Sequence, residues 1–161
     1  MSDGEVAAGD PALEFRPCRE ADLDGILAIE RRTFPTPWPR DQFAGLLGHP
    51  AGLGWVAAGP RGAVLGYAVG WVAADEAELA NLAVAERWRS RGLGEGLVRA
   101  FAREAGVRGA HRLYLEVRVS NVEARRFYER LGFGLVGRRP GYYQSPREDA
   151  LAFGVDLPLP L

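Results

Sequence analysis

The sequence predicts one α/β domain, a mixed β-sheet with helices packed on it. Segments of strand-like alternation and of helical period follow one another in the order β-α-α-β-β-β-α-β-α-β-β, which suits a mixed sheet covered by helices. The 161 residues, 47% apolar and 25% charged, supply one core and fall short of two. No apolar run reaches the roughly 20 residues of a membrane span. The start MSDGEVAAGDPA shows acids and small residues in place of an export signal, so a soluble, cytoplasmic protein is expected. The expected layout is a frayed acidic segment over 1–11, one domain over 12–157 and a short tail over 158–161.

Each element has its own signal. Residues 13–16 read as a short strand, and 20–32 place Leu23, Ile26, Leu27 and Ile29 on one helical face. Prolines punctuate FPTPWP at 34–39, and a second helix follows through Phe43, Leu46 and Leu47 to Gly48. Residues 54–58 and 63–73 form a hairpin across GPRG, and 78–84 make a further strand. Leu93, Leu97, Phe101 and Ala105 form a helical stripe that opens at Gly92 and Gly94 and stops near Gly106. Over 112–119, Leu113, Leu115, Val117 and Val119 alternate with Tyr114, Glu116 and Arg118. Ser120 and Glu123 read as a capping box, opening a helix that carries Ala124, Phe127, Tyr128 and Leu131 and closes at Gly132. Residues 134–138 and 149–156 are the last strands, with GYYQSPRE between them.

Missing residue types remove whole chemistries. All 20 basic residues are arginine, so a phosphate-loop lysine, a lysine Schiff base and a lysine general base are unavailable. The four serines never stand in G-x-S-x-G, and the two histidines, His49 and His111, have no companion motif, so no metal site is expected. The single Cys18 excludes a disulfide framework within the chain and fits a reducing compartment. The net charge of −1 argues against a nucleic-acid partner, yet the charge is polarised. Residues 1–86 hold 6 Arg against 13 acids (−7), whereas 87–139 hold 13 Arg against 5 acids (+8). The second segment suits a compact polyanion.

The stretch AERWRSRGLGEGL at 85–97 clusters arginine and glycine between a strand and a helix. Unpaired N–H groups at the helix start, with the helix dipole behind them, make an anion site for a phosphate-bearing ligand. It is not a dinucleotide fingerprint, because Gly92, Gly94 and Gly96 give G-x-G-x-G and lie well past Val84.

ELANLAVAERWRSRGLGEGLV, with Arg89-x-x-Gly92-x-Gly94, resembles the acetyl-CoA motif of the GCN5-related N-acetyltransferases, the GNAT family. LYLEVRVSNVEARRFYERLGF at 113–133 is similar to that family's next strand and helix. Within the family the chain looks most like the RimI type, which acetylates the N-terminal alanine of a small-subunit ribosomal protein. The matching features are Glu76, Leu79, Asn81, Ala83 and Val84, the LEVRVSN run, Arg138, Arg139, Tyr142 and Tyr143 followed by Glu148, Asp149 and Ala150, and Pro37 with Trp38. Ser90 and the extra prolines of FPTPWP depart from the pattern.

The resemblance implies a GNAT fold with a splayed acetyl-CoA slot, and acetyl transfer to a protein N-terminal α-amine. It places the cofactor on main-chain groups of Leu82, Ala83 and Val84 and on the turn formed by Arg89, Ser90, Arg91, Gly92, Leu93, Gly94 and Glu95. Asn121 has both a cofactor-contact and a helix-cap reading. Glu116 is implied as general base, directly or through a water, and Tyr128 as the acid for the leaving thiolate. Without the resemblance, Glu116 reads as an exposed strand carboxylate and Tyr128 as a packed helix aromatic. Glu76, Asn81, Trp38, Tyr142 and Tyr143 are implied around the peptide terminus. The partner expected is a ribosomal protein N-terminus, with no metal, nucleic acid or membrane, and a monomer is compatible with all of this. Broader N-terminal or small-amine specificity, and a non-enzymatic acetyl-CoA sensor or assembly partner, are the alternative readings.

Overall fold

A computed structural model describes residues 13–161. The expected frayed segment over 1–11 lies outside them. In chain order the elements are β1 (Glu14–Pro17), α1 (Leu23–Thr33), α2 (Arg40–Gly48), β2 (Gly52–Ala58), β3 (Val64–Ala73), β4 (Glu76–Val84), α3 (Leu93–Val107), β5 (Arg112–Arg118), α4 (Val122–Arg130), β6 (Gly134–Gln144) and β7 (Arg147–Asp156). This is the order read from sequence.

The strands form one sheet in the order β1-β2-β3-β4-β5-β7-β6. Every neighbouring pair is antiparallel except β4 with β5. A parallel pair needs a crossover, and α3 provides it. On one face Leu97 and Phe101 of α3 and Tyr128 of α4 pack against Leu79, Leu113, Leu115 and Phe153. On the other face Ile26 and Leu27 of α1 and Phe43 and Leu46 of α2 pack against Val56, Tyr67 and Val69. Because α1 and α2 lie mainly on β2, β3 and β4, the β5-β7-β6 part of that face is left open. No helix of the described residues is long and apolar enough to cross a membrane.

Three expectations are corrected. First, β4 begins at Glu76, two residues early, where it pairs with Ala73 and Arg112. Second, Asn121 caps α4: its Oδ1 accepts the Ala124 N–H at 3.1 Å. The Ser120–Glu123 capping box does not form, because Ser120 lies one residue before the cap position and donates its own N–H to Glu148 Oε2 at 2.8 Å. Third, GYYQ belongs to β6, which pairs Tyr143 with Glu148 and Gln144 with Arg147. The register break between Arg139 and Tyr143 takes up Pro140, Gly141 and Tyr142. Proline is tolerated there because β6 is an edge strand. Gly141 supplies the positive φ of 61°, and its N–H donates to Asp149 Oδ1 at 2.8 Å. The tail is seated on the core through Leu157 and Leu159, and Arg99 donates to the Pro160 carbonyl at 3.0 Å.

A buried ion pair joins β1 to the entry of α1. Arg16 (9% exposed) donates to both oxygens of Asp22 (4% exposed), at 2.7 and 2.8 Å, and the Arg19 N–H adds a third bond at 2.8 Å. Burial pushes the Asp22 carboxyl up, but the hydrogen bonds from Arg16 and the Arg19 N–H outweigh it and hold the group below the ordinary aspartate range. Asp22→Ala strands a buried guanidinium and is expected to lower stability by about 3 kcal/mol in urea unfolding at neutral pH. The Asp22 contribution is complete above the unfolded aspartate pKa of about 3.9 and vanishes as pH falls through the lower folded value. Wild type and variant should therefore converge in acid.

Candidate active site

The site begins at an irregularity in β4. Val69 pairs with Asn81 and Gly70 with Leu79, so Ala80 is an extra residue in the strand. Before it, Ala77 and Leu79 face α3; after it, Leu82 and Val84 do, while Ala83 turns to the α1 face. The bulge thus reverses the alternation and puts Glu76, Glu78 and Asn81 on one side. A Cβ on Gly70 would lie 1.8 Å from the Glu78 carbonyl oxygen, so this close approach requires glycine. Pairing of β4 with β5 stops at Leu79–Leu115, and the two strands then part. Ala85 donates its N–H to the Leu65 carbonyl at 2.8 Å, so by alternation Ala83 also bonds to β3, whereas Leu82 and Val84 turn their peptide groups into the gap. Of the three residues expected to line the slot with main-chain groups, Ala83 is therefore occupied elsewhere.

Past β4, Trp88 is buried and anchors the turn, with the Arg91 guanidinium 5.2 Å from its ring centre. Arg89 donates Nε to the Val84 carbonyl at 3.0 Å, fixing the turn to the strand. Ser90 and Gly92 have φ of 62° and 82° and wrap the chain onto the start of α3. Gly96 is the first residue whose N–H bonds within the helix, to the Gly92 carbonyl at 3.0 Å, and Gly92 gives no side-chain cap. The amides of Gly92, Leu93, Gly94 and Glu95 are left for an anion, with the positive end of the helix dipole behind them. Leu93 is buried as the anchor and Glu95 turns its carboxylate to Arg99 at 3.1 Å, so both offer only main chain. Asn121 spends its Oδ1 on capping α4, which leaves its amide N–H groups for any ligand.

On the open face, Trp71, Glu76, Glu78, Tyr114, Glu116 and Arg139 line a cleft of about 460 Å³. Glu116 is the first residue of β5 beyond the last β4–β5 pair, where the strands separate. Its Oε1 forms an ion pair with Arg139 Nε at 3.2 Å, and its buried Oε2 has no hydrogen-bond partner. Burial raises the Glu116 pKa; Arg139 opposes that and Glu78 adds to it. Tyr142 and Tyr143 meet edge to face at 5.0 Å beside this group. Burial and the Glu116 charge raise both phenols, Tyr143 to about 12. On the α3 face, Tyr128 packs edge-on against Phe127 and Phe133, and burial holds its pKa above the usual value, which keeps it protonated.

Asn81 and Trp38 do not line this cleft. Both are tied to Glu30 of α1, which is 1% exposed: Asn81 Nδ2 donates to Oε1 at 2.8 Å, the Trp38 main-chain N–H to Oε2 at 2.9 Å, and the Tyr67 hydroxyl also to Oε1. The Trp38 ring packs on Phe43 at 5.1 Å. This network holds α1 and the proline segment against the bulge. Among the described residues, no group of three or more His, Cys, Asp or Glu is placed to hold a metal ion.

The model of the Acetyltransferase (GNAT) family matches residues 23–133. The chain belongs to the GNAT acetyltransferase family. The [ribosomal protein bS18]-alanine N-acetyltransferase of Escherichia coli strain K12 is 35% identical over 138 residues, 84% of this chain and 92% of that one. A Bacillus subtilis strain 168 protein that carries the same name provisionally is 34% identical over 142 residues, 88% and 94% of the two chains. The crystal structure of the ribosomal-protein-S18-alanine N-acetyltransferase from Escherichia coli superposes with a TM-score of 0.82 at 32% identity, covering 90% of this chain and 94% of that one. Arabidopsis thaliana NAA60 in complex with acetyl-CoA shares the fold, with a TM-score of 0.81 at 22% identity over 90% and 98% of the chains.

In this GNAT chain three contributors escape a sequence reading. Glu30 and Glu78 look like ordinary acids until the bulge brings their partners to one face. Arg139 stands in a quoted motif, but only the sheet places it on Glu116. The Glu30 network is testable. Glu30→Ala strands the Tyr67 hydroxyl and the Asn81 amide, and is expected to lower stability by about 3 kcal/mol in urea unfolding. Glu129→Ala, on an exposed turn of α4, should stay within about 0.5 kcal/mol of wild type.

Proposed function

We propose that this chain moves the acetyl group of acetyl-CoA directly to the α-amine of a protein N-terminus, and that its substrate is the N-terminal alanine of a small-subunit ribosomal protein in the cytoplasm. The observation that carries the chemistry is the position of Glu116, a half-buried carboxylate with one oxygen that has no partner, where β4 and β5 part. The substrate is supported by relatives named for ribosomal protein bS18 alanine, matched over more than nine-tenths of their own lengths.

The residues present fit acetyl-CoA on three counts. Four free amides at the start of α3 suit its diphosphate, the β4–β5 gap exposes the Leu82 peptide groups and the Val84 N–H to a pantetheine arm, and Arg89 and Arg91 flank the turn. A peptide entering by the open face meets Glu76, Glu78, Tyr142 and Tyr143, an acidic and aromatic rim suited to a basic residue near the N-terminus.

An α-amine with a pKa of about 7.7–8.0 is mostly protonated at neutral pH, and only the neutral form attacks a thioester. Glu116 takes the proton from the ammonium, directly or through a water. The freed lone pair forms the new C–N bond as the C–S bond breaks. Tyr128 gives its proton to the departing thiolate; burial keeps that proton on the phenol until it is needed.

Purified protein incubated with acetyl-CoA and a peptide beginning Ala-Arg-Tyr-Phe is expected to give a product 42 Da heavier (about the mass of an added acetyl group), mapped to the α-amine. Acetylation confined to free small amines would defeat the substrate proposal. Glu116→Gln and Tyr128→Phe should each lower kcat about tenfold or more while acetyl-CoA affinity is retained. Undiminished turnover in either would remove that residue's role.

A further inference from the structure

We infer that Arg139 is the positioning residue of the Glu116 carboxylate: it holds Oε1 from the edge strand so that Oε2 alone is left for the incoming amine. This rests on the reading of Glu116 as the base. Oε1 is 3.2 Å from Arg139 Nε, and Oε2 is buried without a partner. A carboxylate with one oxygen engaged and one vacant has a single direction in which to accept a proton.

Arg139 is itself held. Its guanidinium lies 5.5 Å from the centre of the Tyr142 ring, and the register break just beyond Arg139 brings Tyr142 back alongside it. Arg138, its neighbour, turns instead to Asp149, with Nε at 2.7 Å from Oδ2, so the two arginines have separate tasks. The Arg139 side chain is 61% exposed and that of Glu116 14%, so the cation stays solvated at the cleft mouth while the carboxylate is the more enclosed partner. The pair therefore forms without stranding a buried guanidinium.

Charged and titratable groups face Glu116 from three strands. Arg139, Tyr142 and Tyr143 come from β6 and Glu78 from β4, while Arg118 of β5 itself is spent on Glu148 at 3.2 Å and on the Tyr143 ring. Among these, Arg139 is the only cation acting on the base, and it opposes both burial and Glu78. Its loss leaves those two unopposed, so more of the carboxyl is protonated and inactive on the acid side. Arginine suits the task because its planar fork contacts the carboxylate and the Tyr142 face together.

The test is the pH profile of the single-turnover acetylation rate, with acetyl-CoA and the alanine peptide saturating, for wild type, Arg139→Gln, Arg139→Lys and Glu116→Gln. For Arg139→Gln the acidic limb is expected to move to higher pH. On that limb its rate should fall about two- to fivefold further below wild type than on the plateau, the range for an ion pair with one exposed partner. Arg139→Lys should recover most of the limb position. A uniform loss at every pH, or a limb that stays in place in Arg139→Gln, would overturn the inference, since a merely structural role moves the rate and not the titration. Glu116→Gln separates the two ideas. If it abolishes the limb while Arg139→Gln leaves it unmoved, the base stands and the positioning role falls. If Glu116→Gln retains full rate, the reading of the base falls and takes this inference with it.

Discussion

The extra residue at Ala80 is the constraint on which the site depends. Strand side chains alternate, so a single insertion exchanges the two faces for everything that follows. In β4 it lets Ala77 and Leu79 seal the α3 core, and then sends Asn81 and Ala83 to the α1 core, with Leu82 and Val84 taking over on the α3 side. The same irregularity ends pairing with β5 at Leu79–Leu115. Without that parting, Leu82 and the Val84 N–H would offer nothing to a ligand and Glu116 would lie inside a continuous sheet. Two neighbours maintain the arrangement. Gly70 permits the close backbone approach, and the Glu30 network clamps Asn81 from the opposite face.

Electrostatics divide the site into two regions with opposite demands. The start of α3 combines free amides with Arg89 and Arg91, a positive region suited to phosphate. Across the sheet, Glu76, Glu78 and Glu116 line the cleft on the other face. In the proposed reaction the diphosphate and the amine approach from different sides of one gap between strands. The charge polarity along the sequence is consistent with this division, since the acids at 76 and 78 precede the arginine-rich turn. Glu116 and Arg139 cross it: both lie in the basic segment of the chain, yet both line the acidic cleft.

Much of the architecture was legible because local patterns and tertiary structure agree. The helical stripe of Leu93, Leu97, Phe101 and Ala105 is buried as its spacing requires, and Leu113, Leu115 and Val117 are buried while Tyr114, Glu116 and Arg118 are not. The departures have local causes. Asn121 displaced Ser120 as cap because the helix starts one residue later, and either residue type is a good cap. GYYQ looked like a loop because Pro140 and Gly141 signal a turn, but an edge strand absorbs both in a register break. Only the fold shows that one buried carboxylate of α1 holds both the Asn81 side chain and the Trp38 main chain.

The amino-acid order by itself determined the element succession, the arginine- and glycine-rich turn before α3, the absence of lysine chemistry and the family resemblance, because each is read from the residues themselves and their local order. Tertiary structure decided which oxygen of Glu116 is free, that Arg139 holds the other, and that Ala83 serves β3 while Leu82 and Val84 face the gap. Those outcomes rest on contacts between strands far apart in sequence and on a one-residue bulge. A change of face by insertion leaves no trace in a local hydrophobic period.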